Sequence, residues 1–311
     1  MGGQATGAQP LAAAAAEGGQ QTRVFDLPEA CVAHVLALTS PRDACRAAAV
    51  SPCFRDAAGS DTVWSRFLPP DYPAILQLHQ APASRLLLSR NGAKASSVPV
   101  ASSPPATKKE AYLGLTDVAV LVDDGGMAVW LARGSGAKCV ALSARRLSLP
   151  WEDGEFSWRW MPHHLSRFAD VVQLVSCTCL DIYGRLPTAA LTPATAYAAY
   201  LVFDTADDHR GLSFPDQETT VSVGGRTVSR HAVCLRPDDD EARKFIGADS
   251  ANNGGVRGPT LRRDGWWEVE IGRLRTNDEA VDGEEVAVSF EVLGWQPKRG
   301  LIVEGVEFRP L

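Results

Sequence analysis

Residues 26–72 most constrain what this chain can fold into, because four helix-start signals follow one another there at short spacing. Pro28 followed by Glu29 is typical of a first helical turn, where a missing N–H costs nothing and a carboxylate is favoured. Ser40-Pro41 and Ser51-Pro52 begin two more helices, and Ser60-Asp61 begins a fourth. The stretch is therefore predicted to fold as four short helices.

Apolar residues recur along these predicted helices at helical spacing. They are Val32, Val35, Leu36, Phe54, Ala58, Val63, Trp64 and Phe67. A bundle of about 45 residues buries little surface, so it usually needs a metal, disulfides or a partner for stability. Two interpretations stay open, namely a bundle that binds a partner protein and a subdomain that packs on the rest of the same chain.

The stretches LPE, TSPRDACR, VSPCFRDAA and SDTVWSRFLPPDY resemble an F-box in the version found in plant proteins. F-box helices dock on the Skp adaptor of cullin-RING ubiquitin ligases. The resemblance implies a substrate receptor, in which the helices bind the adaptor, and through it cullin and RING subunits, while the rest of the chain selects the target. The adaptor contacts expected from it are Leu27, Pro28, Val32, Val35, Leu36, Pro41, Val50 and Trp64.

Composition excludes several classes of protein. The net charge of −6 and the pI of about 5.6 argue against a nucleic-acid binder, which needs a basic surface. No window is long and apolar enough for a membrane span, so no membrane partner is expected. Seven cysteines without a signal peptide are typical of thiols in a reducing compartment, so we expect the cytoplasm, the nucleus or both.

The chain divides into four parts by composition. Residues 1–22 are rich in Gly, Ala and Gln and are predicted to form a disordered tail, followed by the helical module over 23–90. Residues 91–117 are predicted to be a Ser/Pro-rich linker and a connecting helix whose buried side carries Tyr112, Leu113 and Leu115. This linker is also expected to be a preferred site of proteolytic cleavage.

From residue 118 onwards the apolar pattern changes to alternation, which indicates strands. About ten short strands are predicted over 118–311, including a hairpin at Gly224-Gly225. Strand–helix alternation is absent, so a doubly wound sheet is disfavoured. The expected fold is α+β and multidomain: a small helical F-box bundle followed by an antiparallel β-sandwich of jelly-roll type.

The stretches LSARRLSLPW, SRFADVVQLVSCTCLDIYGRL, LTPATAYAAYLVF, DGWWEVEIG and GLIVEGVEFRP resemble the phloem protein two domain, a plant lectin family. This resemblance implies a sandwich that, in lectin members, binds N-acetylglucosamine oligomers and N-glycan cores. The two sugar-site tryptophans of the family fall on Trp151 and Trp158, and its carboxylate falls on Glu284 or Glu285. The chain departs from the family at Ser157, where an aromatic is usual, and in the spacing of Trp295 and Lys298.

Tryptophan faces suit sugar rings, but Trp151, Trp158 and Trp160 could equally close the end of the sandwich core. Other pairs of chemically active residues have simpler structural explanations. Cys177 and Cys179 resemble metal ligands, His163, His164 and His231 resemble catalytic bases, and Glu268 with Glu270 resembles a glycosidase pair. Packing or surface exposure explains each of these groups more simply. No P-loop, dinucleotide fingerprint or nucleophile elbow is present, and no cofactor is expected.

The predicted function is therefore a non-catalytic substrate-recognition subunit of a cullin-RING ubiquitin ligase. Its sandwich is expected to bind the target. One form of this hypothesis is that the sandwich binds N-acetylglucosamine-containing glycans on the target. Two alternatives stay open, namely a lectin that acts outside the ligase and a sandwich that recognises bare protein after losing its sugar site.

Overall fold

A computed structural model describes residues 27–80, 105–150, 157–213, 217–239, 255–278 and 283–311. The predicted tail, residues 91–104 of the predicted linker, and Trp151 lie outside the described residues. The helices are α1 (Glu29–Ala37), α2 (Pro41–Ala48), α3 (Pro52–Gly59), α4 (Asp61–Phe67), α5 (Tyr72–Gln80) and α6 (Lys108–Asp117). The four predicted helices of the N-terminal module are confirmed as α1 to α4.

Serine caps begin three of these helices, as the sequence predicts. Ser40, Ser51 and Ser60 each accept a hydrogen bond from a first-turn backbone N–H, at 3.1, 3.2 and 3.3 Å. The carboxylate of Asp43 reaches back to Ser40, whose hydroxyl donates to it at 2.7 Å. Pro28 lies just before α1 rather than inside its first turn. These caps satisfy N–H groups that have no partner within the helix.

The fourteen described strands form two antiparallel sheets, which confirms the predicted fold class. They are β1 (Val120–Val122), β2 (Met127–Leu131), β3 (Lys138–Ser143), β4 (Leu147–Ser148), β5 (Trp158–Met161), β6 (Val171–Leu174), β7 (Leu180–Pro187), β8 (Ala196–Arg210), β9 (Gln217–Val223), β10 (Arg226–Val233), β11 (Thr260–Leu261), β12 (Trp267–Arg275), β13 (Glu285–Val292) and β14 (Arg299–Pro310). The predicted hairpin joins β9 to β10, with positive φ at both Gly224 and Gly225.

The larger sheet, sheet I, has the order β1-β2-β3-β14-β8-β12-β11, and β6 pairs with β14 and β5. Sheet II has the order β10-β9-β13-β7-β4. The sheets approach closely at Gly272 of β12, where an added Cβ would lie 2.6 Å from the Ser229 hydroxyl of β10. A larger residue at Gly272 would therefore push the two sheets apart.

The helical module packs on the sandwich, and one apolar core extends from α1 to β14. Trp64 of α4 is 1 % exposed and packs against Tyr112 of α6. Tyr112 and Leu115 are buried as predicted, whereas the prediction for Leu113 is wrong, since it is 38 % exposed. Leu113 lies one position beyond Tyr112, which turns it away from the core because successive helical residues point about 100° apart.

Three arginines and three glutamates form an ion network on the outer face of sheet I. Arg167 and Arg262 both contact the carboxylate of Glu307, at 3.0 and 2.9 Å. Arg309 contacts Glu268 at 2.8 Å, and Arg167 also approaches Glu304 at 3.4 Å. Burial works against ionisation of Glu307, but the surrounding guanidinium groups outweigh it and lower the pKa of Glu307. The network attaches residues 162–168 to the strands of sheet I.

Candidate functional site

Helix α1 is apolar on two faces. Val32 and Leu36 point into the core and are 1 % and 4 % exposed. Val35 and Leu38 point outwards and are 55 % and 67 % exposed. Residues three apart are neighbours on a helix surface, so Val35 and Leu38 form one apolar ridge. A helix that is apolar on two sides is typical of one that is covered on its second side by a partner.

The residues predicted to contact the adaptor separate into two groups by exposure. The exposed group is Leu27, Pro28, Val35 and Val50, and the buried group is Val32, Leu36, Pro41 and Trp64. The buried side chains hold the helices that present the exposed ones. Adaptor contact through either group stays a prediction. Leu38 was not predicted from the sequence, although its helical spacing from Val35 is a signal that could have found it.

The Trp64 indole shows how firmly the buried group is held. Its N–H donates to the carbonyl of Ala58 at 2.7 Å, and the ring packs edge-on against Phe67 with centroids 5.7 Å apart. The ammonium of Lys109 lies 5.5 Å from the ring centroid. Trp64 therefore acts as the centre of the bundle rather than as part of its outer surface.

Trp158 is buried as well, at 5 % exposure. Its indole N–H donates to the carbonyl of Pro150 at 2.8 Å, which ties β5 to the residue that precedes Trp151. Trp160 is half-buried, and the guanidinium of Arg145 stacks 3.6 Å from its ring centroid. The burial of Trp158 leaves it no face for a sugar, so it can act on a ligand only through its neighbours, whereas Arg145 covers one face of Trp160.

Glu284 and Glu285 do not lie beside Trp158. Glu285 pairs with Pro187, the last residue of β7. Trp158 belongs to β5 of sheet I and lies near the other end of β7, since the backbone of Ser157 bonds to Val175, five residues before β7 begins. Strand β7 has eight residues and spans ~23 Å at ~3.3 Å per residue. The structure therefore places the predicted carboxylate and the predicted second tryptophan near opposite ends of β7.

The other pairs weighed from the sequence are held by structural contacts. Glu268 contacts Arg309, and Glu270 contacts Arg257 at 2.6 Å. The hydrogen bond from Arg273, together with both guanidinium charges, lowers the pKa of Glu270, whereas a glycosidase acid needs a raised one. Burial lowers the pKa of His163 and of His231. These residues are accounted for by packing and ion pairing.

The structure also bears on metal binding and on membrane insertion. Among the described residues, no three His, Cys, Asp or Glu side chains are grouped as metal ligands would be. The same part of the chain has no helix with the length and apolarity needed to cross a bilayer. All seven cysteines are free thiols.

A capped helical bundle with an outward apolar ridge, joined to an antiparallel sandwich, defines an F-box protein with a sandwich domain behind it. Comparison with known families agrees, since residues 24–66 match the F-box domain and residues 137–310 match Phloem protein 2. The chain belongs to the phloem protein 2 family, in the group whose members begin with an F-box. The F-box implies binding to Skp-type adaptors.

Relatives from Arabidopsis thaliana match nearly the whole chain. F-box protein PP2-B10 is 35 % identical over 92 % of this chain and 94 % of its own length. F-box protein PP2-B15 is 36 % identical over 91 % of this chain and 96 % of its own length. A family 35 carbohydrate binding module from Clostridium thermocellum covers 55 % of this chain and 96 % of its own, with 11 % identity and a TM-score of 0.29. That superposition is too loose to bear on function.

Proposed function

We propose that this protein is the substrate-recognition subunit of a cullin-RING ubiquitin ligase and has no catalytic role of its own. The observation that carries the proposal is the exposed ridge of Val35 and Leu38 on a helix whose other side is already buried. Leu27 and Val50, 38 % and 72 % exposed, add apolar surface to the same small module. A Skp adaptor would cover these residues and remove their apolar area from water.

The sandwich is the part that binds the target in this proposal. Its shared core with the helical module supports the assignment, because a rigid connection fixes where a bound target lies relative to the ligase. Lys138 of β3 contacts Asp71 at 3.3 Å, next to the junction. At Gly136 an added Cβ would lie 2.8 Å from the carbonyl of Phe67, so the two parts are in direct contact at this point.

Capture by a purified Skp adaptor tests the proposal. The double substitution Leu27→Ala with Pro28→Ala should reduce capture, because it removes exposed apolar contact and loosens the start of α1. The sandwich should stay folded, since neither residue contacts it, and circular dichroism can verify this. Undiminished capture would remove Leu27 and Pro28 from the interface, and absence of capture by the unchanged protein would refute the ligase role.

A second candidate for target recognition is an N-acetylglucosamine-containing glycan, contacted by Trp151. The observation that favours it is the hydrogen bond from Trp158 to Pro150, which fixes the backbone immediately before Trp151. In this version Trp158 is a positioning residue and Trp151 stacks on the sugar. Glu284 and Glu285 do not contact the sugar in this version, because they lie at the far end of β7.

Titration of chitotriose or an N-glycan core into the full-length protein tests the sugar candidate. Trp151→Ala should abolish weak binding with little change in melting temperature, since stacking of a sugar on an indole is worth ~1–2 kcal/mol of affinity and, in this version, Trp151 serves the ligand rather than the core. If the unchanged protein shows no binding at the highest soluble sugar concentration, the glycan version fails and protein-only recognition replaces it.

We also propose that the protein works in the cytoplasm, the nucleus or both. Burial raises the pKa of Cys139 to about 12 and that of Cys177 to about 11, so these thiols are suited to a reducing compartment as unreactive core residues. A fluorescent fusion found in the secretory pathway would contradict this assignment.

A further inference from the structure

The loop between β13 and β14 exposes two large apolar side chains. Leu293 is 58 % exposed and Trp295 is 86 % exposed. Among the large apolar residues that the structure describes, Trp295 has the greatest exposed fraction. A single exposed leucine is ordinary, but a fully presented tryptophan is the residue type most enriched at the energetic centre of protein interfaces.

The loop that carries Trp295 is held in place by a buried cation. Lys298 is 1 % exposed, and its ammonium donates to the carbonyls of Thr178, Gly294 and Gln296 at 2.8, 2.7 and 3.0 Å. The backbone of Lys298 also pairs with Cys177, at 2.7 and 3.0 Å. A loop fixed in this way loses little conformational freedom on binding, so more of its contact energy appears as affinity.

A row of carboxylates crosses sheet II beside this loop. Glu291 of β13 lies directly opposite Asp181 of β7 on one side and Glu218 of β9 on the other. Like charges in directly opposite positions destabilise a sheet. Glu218 has a partner in Arg230 at 3.2 Å, but within the described residues no cation pairs with Asp181 or Glu291.

The carboxylate row and the exposed apolar residues share one surface. The ammonium of Lys298 binds the carbonyls of Gly294 and Gln296 on either side of Trp295 and also attracts Asp181, so the loop that carries Leu293 and Trp295 lies beside the row. Tyr183, 43 % exposed, borders the row, where burial and the carboxylates of Glu291 and Asp181 raise its pKa. Tyr183 donates a hydrogen bond to Glu291, and Asp181 accepts one from Cys179 at 3.3 Å, so the ring and the two carboxylates lie on one short stretch of surface.

We propose that Leu293, Trp295 and the adjoining carboxylates Asp181 and Glu291 form the target-binding surface, and that they bind a lysine- or arginine-containing segment of a protein target. The inference rests on the proposed function, in which the sandwich recognises the protein to be ubiquitinated. Trp295 and Leu293 supply apolar contact, and the carboxylates pair with the basic side chains of the segment. A cation beside Trp295 or Tyr183 is additionally attracted by the ring face.

The row stays acidic even though Asp181 also attracts the buried ammonium of Lys298, and this acidity selects a basic protein segment over a glycan. A neutral sugar accepts and donates hydrogen bonds but leaves Asp181 and Glu291 repelling each other. A basic side chain placed over Glu291 removes that repulsion, so binding recovers a cost that the free protein carries. Sites that trade stability for binding commonly have this signature.

A random-peptide library displayed on phage, selected against the full-length protein, tests the inference. Selected peptides should be enriched in lysine and arginine next to an apolar residue, and their binding should weaken as salt is raised. Trp295→Ala should weaken the best peptide by about tenfold or more, as for an interface anchor. Glu291→Gln should weaken it several-fold while the thermal midpoint stays at least as high as that of the unchanged protein.

Two matched controls should leave peptide binding unchanged. Glu285→Gln alters an exposed glutamate at the other end of β13, and Leu261→Ala alters a 56 % exposed leucine on sheet I. The inference would be overturned if no peptide were selected, if the selected peptides lacked basic residues, or if Trp295→Ala bound them as well as the unchanged protein. Loss of chitotriose binding in Trp295→Ala would also overturn it. Capture of the Skp adaptor by the same samples separates these outcomes from failure of the ligase role.

Discussion

The rings of Trp64 and Tyr112 lie with their centroids 5.1 Å apart at the junction of the helical module and the sandwich. Trp64 belongs to the module and Tyr112 to the helix that follows it, and the Tyr112 hydroxyl donates to the carbonyls of Ala132 and Arg133 after β2. This contact makes the two parts one packing unit. An adaptor held by α1 is thereby coupled rigidly to a target held by the sandwich.

Tyr112→Phe tests this junction. The substitution keeps the ring but removes the hydroxyl that donates to Arg133, whereas the carbonyl of Ala132 keeps the N–H of Gly136 at 2.8 Å, so we expect a loss of ~1–2 kcal/mol in the free energy of unfolding. Urea denaturation measures it, and hydrogen exchange should increase in both α4 and β2. Leu113→Ala in the same helix is the control and should cost under ~0.5 kcal/mol. Equal losses for the two variants would mean that the hydroxyl has no special role.

Local signals in the sequence predicted the helical module well. The serine–proline pairs at Ser40 and Ser51 act within one turn, so their caps could be identified without knowing the rest of the fold. The Gly224-Gly225 hairpin is local in the same sense. Short strands such as β4, with two residues, carry too little pattern to be predicted, because their pairing depends on residues far along the chain.

Glu307 should make the sandwich sensitive to acid. The pKa of Glu307 is lowered in the folded protein from its usual value of 4.5, so its contribution is complete above about pH 4.5 and is lost as the pH falls through the lower folded value. Glu307→Gln deprives the guanidinium groups of Arg167, Arg262 and Arg309 of this buried carboxylate, and we expect a loss of ~3–5 kcal/mol at neutral pH. The urea midpoint against pH measures both effects.

The control for this prediction is Glu285→Gln. Glu285 is exposed and lies 3.8 Å from Arg185, so its removal should change stability by under ~0.5 kcal/mol. The difference between unchanged protein and Glu307→Gln should shrink as the pH falls from 4.5 through the lower folded pKa of Glu307, because the carboxyl of the unfolded chain takes up its proton first and that of the folded protein follows. A difference that stays constant down to strongly acidic pH would mean that ionisation of Glu307 does not matter.

The free energy of unfolding should depend strongly on Trp158, because this side chain is part of the core. Trp158→Ala removes a 5 % exposed indole and its hydrogen bond to Pro150, and we expect a loss of ~3–5 kcal/mol. Trp295→Ala is the matched control, since an 86 % exposed indole should contribute under ~0.5 kcal/mol. Thermal denaturation compares them. Similar midpoints for the two variants would contradict the burial of Trp158.

The candidate sites depend on long-range relationships that the sequence does not reveal. Glu285 and Trp158 could be assigned to one sugar site from motifs, but their distance depends on which end of β7 each one adjoins. The row of Asp181, Glu291 and Glu218 exists only through strand register, because the three residues are far apart in the chain. Val35 and Leu36 are adjacent and similar, and only packing determines which one is exposed.

The most direct test of the account is the affinity of the full-length protein for a purified Skp adaptor, measured by calorimetric titration. Val35→Asp combined with Leu38→Asp places two charges on the exposed ridge of α1 without touching the core. Val228→Asp, on a 52 % exposed valine of β10, is the matched control. The account predicts that the double variant raises the Kd by at least about tenfold while the control leaves it unchanged. Equal affinities for all three proteins would contradict it.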